Sequence, residues 1–216
     1  MSSIFNVDNP IFTGLNKIVD AIFLSIIFLV TCIPIFTIGP ALTALYYATA
    51  KSLRRDRGYI AREYFKAFKV NFKQGLISGL IVTAAALILA FDWNYAKAQQ
   101  STAGAILFSI FTGMFFILLS ISIYVFPVLS RFKTNVRQLF KTSFFMAIRH
   151  LPSTILMIII VVFFGLLVYI FAFTVVFVPA VCALLISFLM ERVFKKYMPK
   201  KEDEEENTGV DEWYLE

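Results

Sequence analysis

The chain has 216 residues, 59% of them apolar, with 20 Lys and Arg, 14 Asp and Glu, and a net charge of +6. Four windows (Ala21–Ala50, Gln74–Phe91, Ala98–Ser130 and Leu151–Met190) contain no Asp, Glu, Lys or Arg. A helix in water shows a polar stripe at every turn, so these windows exclude a water-soluble fold and imply an all-α polytopic membrane bundle. Two cysteines with no CxxC spacing and a single histidine remove a disulfide framework and a multi-histidine metal site.

In chain order, Ile4, Phe5, Ile11, Phe12 and Leu15 form a weakly amphipathic start. Ile18–Phe36 is the first expected crossing. Ala48-Thr49-Ala50 has the look of a signal cleavage site, but only Lys17 precedes the apolar run and the site lies far beyond it, so the segment is read as retained. Pro34 and Gly39-Pro40 break the window. Proline removes a helix donor and Gly-Pro marks a turn, so the helix should stop near Phe36 and restart at Pro40. From Ile38 to Arg55 the rise is about 27 Å at ~1.5 Å per residue, enough to cross only if Lys51 and Arg54 snorkel. Ala41, Ala44 and Ala48 give this short helix a smooth packing face.

Lys51–Lys73 holds eight cations and two acids. Within it Arg62, Lys66, Lys69 and Lys73 recur at helical spacing beside a row of Phe65, Phe68 and Phe72. That pattern predicts an amphipathic helix on the cytoplasmic side, its rings in the acyl boundary and its cations on lipid phosphates or on a partner. Gln74–Phe91 is the next crossing; it opens with Gly75 and Gly79, a small-xxx-small pattern for close helix approach, and Asp92 is expected to cap its outer end. Gln99–Gly104 is a polar turn before a crossing over Ala105–Val128, which Pro127 should bend. Arg131–Arg149 carries five cations and no acid and repeats the interfacial design, with Lys133, Arg137 and Lys141 set against Phe132, Val136 and Leu139. The longest window holds two crossings, Thr154–Phe171 and Thr174–Phe194, the second expected to bend at Pro179. These elements suggest three units, each an interfacial helix followed by a pair of spans.

The total is six crossings, or five if Ala41–Leu53 does not span. The positive-inside rule puts the three basic segments, Arg192–Lys201 included, in the cytoplasm. Six crossings leave both termini there, and five would place the amino terminus outside. Residues 1–198 form the expected membrane domain and 199–216 an acidic cytoplasmic tail, in which Glu202–Glu216 has eight acids and no cation. Such a block is expected to be solvated and disordered, with Trp213-Tyr214-Leu215 available as a short docking peptide.

Ion-coupled transporters keep an acid or base near mid-membrane, and none is expected here. Asp20 lies three residues from Lys17 and Glu191 four before Lys195, both ordinary interfacial pairings. Ser120, Ser122, Tyr46, Tyr47 and Tyr124 could line a polar path or bond nearby backbone. The chain has no GxxxxGK[ST], HExxH or GxSxG pattern, and His150 beside Arg149 reads as a headgroup contact. Neither enzyme activity nor a cofactor, metal or nucleic-acid partner is expected; the expected partner is a bilayer with anionic headgroups.

Gly39-Pro40, then Ala41-Leu-Thr-Ala44-Leu-Tyr-Tyr47, the basic run to Arg57-Gly58, and Phe65-x-x-Phe68-Lys69-x-Asn71-Phe72 together resemble the YesL-like family of bacterial integral membrane proteins. The resemblance covers roughly the first 195 residues and leaves out the acidic tail. It implies a plasma-membrane location and an accessory role beside a carbohydrate ABC transporter permease, and it supplies no catalytic residues. Ile148-Arg-His-Leu151-Pro152 matches only the end of a permease's ATPase-docking loop, so the chain is not read as the permease itself. An autonomous small-solute facilitator and a membrane sensor are the alternative readings.

Overall fold

The computed structural model describes residues 10–99, 101–132 and 134–197, with side chains from Gly14 onward. Lys133, Ile4, Phe5 and the acidic tail lie outside the described residues. Among those described, every regular element is helical.

Helix α1 runs unbroken over Pro10–Cys32, so Ile11, Phe12 and Leu15 belong to its first turns and not to a separate interfacial helix. It stops where Pro34 turns extended (φ −76°, ψ 114°). The Thr37 hydroxyl then donates to the carbonyls of Thr31 and Pro34, satisfying acceptors that the broken helix leaves open. A 3-10 turn over Ile35–Thr37 leads into α2, Ile38–Ala48. Pro40 sits in its first turn, where no donor is required. A π-helical turn, Thr49–Leu53, ends this segment.

Helix α2 is the hub of the fold. All of its residues except Ile38 and Leu42 are buried, and α1 packs against it on one side. Its other neighbours are α3 (Ile60–Val70), α4 (Phe72–Ala98), α5 (Thr102–Arg131) and α8 (Val178–Phe194). A helix that is apolar all round can be hidden this way, and at ~1.5 Å per residue its α-helical part is only about 16 Å long. Lys51 and Arg54, at its end, are both bonded to protein groups. Lys51 pairs with Glu63 at 3.0 Å, and Arg54 donates to the Ser187 carbonyl at 2.9 Å.

Helices α4 and α5 form a long hairpin. The Ser101 hydroxyl accepts from the Gly104 amide to cap α5, and a Cβ at Gly104 would collide with Gln99. Asp92 does not cap α4, which continues to Ala98. Its last turns are held by Trp93, whose indole donates to Thr112 at 3.1 Å and packs on Phe108 while Lys97 lies over its ring. After α6 (Val136–Arg149) and α7 (Leu151–Ile170), a 3-10 turn at Ala172–Val176 reverses the chain into α8. Pro179 falls in the first turn of α8 and so starts that helix without bending it.

Among the described residues, four helical stretches are long and apolar enough to cross a membrane: Gly14–Cys32, Phe72–Ala98, Thr102–Arg131 and Leu151–Ile170. Their outward side chains, among them Ile88, Phe116, Ile159 and Phe163, are exposed. So much uncovered apolar surface marks a protein whose solvent is lipid. Helix α8, with 17 residues, and α2, with 11, are shorter.

Candidate functional site: a buried charge network

One face of α8 carries Ala180, Ala183, Ser187, Glu191 and Phe194, all buried. Their spacing of three or four residues places Glu191 on the side turned into the protein. Arg131, at the end of α5, donates to Glu191 Oε1. Tyr46 of α2 donates to the same oxygen at 3.1 Å, and Arg55 reaches Oε2 at 3.4 Å. Glu191 is only 2% exposed and Arg131 5%. Tyr46 and Phe132 both pack edge-on against Phe194, which keeps the cluster dry. A charge buried this deeply persists only where opposite charge and hydrogen bonds replace its water.

The reading of Glu191 as an interfacial partner of Lys195 is thus corrected, because its carboxylate faces α2 and α5 and not its own helix surface. The signal was present in the sequence as the row of small residues, Ala180, Ala183 and Ser187, that leads to it. The position of Arg131, the last residue of a 30-residue apolar helix, gave no comparable hint. Asp20 is exposed, and Lys17 pairs with Asp56 at 2.9 Å.

A second cluster joins the end of α2 to α3. Lys51 lies 3.3 Å from the Tyr47 hydroxyl and bridges to Glu63. Gly58 (φ +77°) turns the chain between them, in a backbone region that costs other residues strain. On the far side of α3, Tyr64 is buried and its hydroxyl lies 2.5 Å from that of Thr31.

The cations expected at an interface are on the surface. Arg62, Lys66 and Lys69 on α3, with Lys73 at the start of α4, are exposed, as are Phe65 and Phe72, while Phe68 is half-buried. Arg137 and Lys141 are exposed on α6. The packing residues lie inside. Ala41, Ala44 and Ala48 are fully buried, and Gly39 meets Gly75 and Gly79. A Cβ at Gly39 would strike the Gly75 carbonyl and come within 2.9 Å of the Gly79 Cα, and one at Gly75 would come within 2.9 Å of the Pro40 Cα. Backbone-to-backbone contact of this kind is what small residues permit where helices cross.

Ser120 and Ser122 donate to carbonyls one turn back in α5, and the Tyr124 hydroxyl lies 3.0 Å from that of Thr154. His150 Nε2 is 3.2 Å from the Tyr197 hydroxyl. Burial first, then the charges of Lys196 and Arg149, hold the imidazole pKa below its ordinary value. Among the described residues no three His, Cys, Asp or Glu side chains converge as a metal site.

Residues 21–93, from within α1 to near the end of α4, match the family described as protein of unknown function, DUF624. This stretch contains the Gly39/Gly75/Gly79 crossing, Tyr46, the Lys51–Glu63 pair and the cationic face of α3, whereas Arg131 and Glu191 lie outside it. The chain is 29% identical over 133 residues to the uncharacterized protein YesL of Bacillus subtilis (strain 168), a match covering 61% of this chain and 62% of that protein. The matched region therefore spans about three fifths of the relative's length. No solved structure matches the chain. The chain is thus similar to DUF624 over its amino-terminal helices and to the Bacillus protein over more than half its length.

Proposed function

We propose that this protein is a non-catalytic integral subunit of the bacterial plasma membrane that assists a carbohydrate ABC importer, binding the permease through its lipid-embedded helices and through the cationic faces of α3 and α6. In this reading α2 and α8 complete six crossings, both termini are cytoplasmic, and α3 and α6 lie at the inner leaflet on anionic headgroups. The observation that carries it is the division of charge. The buried charges near Glu191 are committed to one another, whereas Arg62, Lys66, Lys69, Lys73, Arg137 and Lys141 are presented outward beside exposed phenyl rings. Such a surface suits a headgroup layer or an acidic partner face. The choice of a sugar importer rests on the YesL-like resemblance.

Affinity purification in mild detergent should recover a permease or a solute-binding protein with the tagged chain, and repeated recovery of the chain alone would overturn the reading. A facilitator acting by itself is less well supported, since the α5 serines spend their hydroxyl protons on their own backbone. Sugar flux through liposomes holding only this protein would favour that alternative. An impermeant thiol reagent applied to intact cells tests the crossing number, because a cysteine at position 3 stays unlabelled if the amino terminus is inside.

A further inference from the structure

Along α6 runs an open groove of about 970 Å³ whose rim carries Arg137, Lys141 and Arg149 and whose apolar part is formed by Phe145, Met146 and Tyr197. No acidic side chain lines it among the described residues. Tyr197 is also the last described residue. Its ring is held at the groove by the Arg149 guanidinium, 5.8 Å from the ring centroid, and by His150. The chain therefore leaves α8 at the edge of a cationic trough.

The sequence beyond Tyr197 is complementary to that trough. Glu202–Glu206 are five consecutive acids, succeeded by Asp211, Glu212 and the apolar Trp213-Tyr214-Leu215. Five peptide steps at ~3.3–3.6 Å each put Glu202 at most about 18 Å from Tyr197, so the first acids can reach the groove without strain. We propose that the acidic segment Glu202–Glu216 docks intramolecularly on α6, its carboxylates on Arg137, Lys141 and Arg149 and its aromatic end on the apolar part of the groove. Tethering gives the segment an effective concentration of order mM, far above that of a free acidic peptide. The docked segment would cover the α6 cations and act as a built-in competitor for any anionic lipid or protein that uses them. Docking of this kind depends on the groove and the charge of the segment and does not require a sugar importer.

Zero-length carbodiimide coupling of the full chain in neutral-lipid nanodiscs, read by peptide mass spectrometry, tests this. The exposed Lys17–Asp56 pair at 2.9 Å is the internal positive control. Lys141 should couple to acids among Glu202–Glu206 at least about fivefold more than the exposed Lys66 does, as tethered docking at one site requires. The coupling should vanish in 1 M salt, where the screening length is about 3 Å, while replacing the five acids by Gln and Asn should expose Lys141 to an amine reagent. If Lys141 and Lys66 couple equally, or if Lys141 couples to no acid of the segment while Lys17 couples to Asp56, the proposal is overturned. Protection of Lys141 only in discs containing phosphatidylglycerol, with no coupling to the segment, would overturn it in favour of a lipid headgroup.

Discussion

Among the described residues Glu191 accepts from Arg131, Tyr46 and Arg55, and its value to the fold lies in what happens when it is removed. Glu191→Ala removes the buried carboxylate that Arg131 donates to, and breaking a buried pair from one side costs about 3–5 kcal/mol. The expected outcome is a large loss of thermal stability in detergent. Replacing both partners, Arg131→Met with Glu191→Leu, should recover most of that loss, because an apolar pair of similar size carries no desolvation cost; a double variant as weak as the single one would contradict the pairing. His150, the only histidine, offers a second test at this scale. Its pKa is lowered from 6.5, so the native state favours neutral imidazole. The corresponding stability is present above pH 6.5 and is lost as pH falls from there through the folded value. Lys196→Gln removes one of the repelling charges and should raise the midpoint seen by NMR of the imidazole. A midpoint unmoved or lowered would show that Lys196 does not face the ring.

Among the elements, the α2–α4 crossing has the least room. Gly39→Ala or Gly79→Ala forces a methyl into the opposing backbone, and overpacking of this kind costs about 1–3 kcal/mol. Gly113, in the middle of α5, has nothing within 4 Å of a built Cβ. Gly113→Ala should therefore be neutral, or stabilising by up to about 1 kcal/mol through helix propensity. Thermal unfolding of the variants side by side checks the contrast, and equal behaviour of Gly39→Ala and Gly113→Ala would show that the crossing is not tightly packed. The amphipathic patterns at Arg62–Lys69 and Arg137–Lys141 were legible as helices because period and charge are local properties, whereas Phe72 and Lys73, read into the first of them, fall beyond a break at Asn71 on α4. The end of α4 was not legible. The window free of charged residues ends at Phe91, yet pairing of Trp93 with Phe108 and Thr112 on α5 carries the helix to Ala98. Pro179 misled for a related reason, since a proline bends a helix only from its interior, and where α8 begins depends on the preceding 3-10 turn.

For the whole molecule, the exposed apolar side chains define the surface that meets lipid. Ile159→Lys on α7 would place a charge in that surface, at a cost of about 2.5–3.5 kcal/mol near the centre of a span. It should lower the yield of membrane-inserted protein, while Gln138→Lys on exposed α6 should not; unchanged insertion of the α7 variant would argue that this helix does not face lipid. Changing Arg62, Lys66, Lys69 and Lys73 together to Gln should leave folding intact but reduce the phosphatidylglycerol that copurifies, each cation near an anionic surface being worth about 1 kcal/mol.

Helical class, the four long apolar stretches, the break at Pro34 and the cationic rows are set by local composition and periodicity, which the chain carries whatever its neighbours do. Whether an apolar helix faces lipid or protein is not local. Helix α2 reads as a short crossing but is enclosed by five other helices, and Lys51 and Arg54 at its end are bonded to protein groups. The charge network is decided only in three dimensions, because Glu191 meets Arg131 from 60 positions away and Tyr46 from 145. Pairing across such separations depends on which helix faces touch, and that comes from packing, where the Gly39, Gly75 and Gly79 contact lets the helices approach and Tyr46, Arg131 and Glu191 converge in a space closed to water.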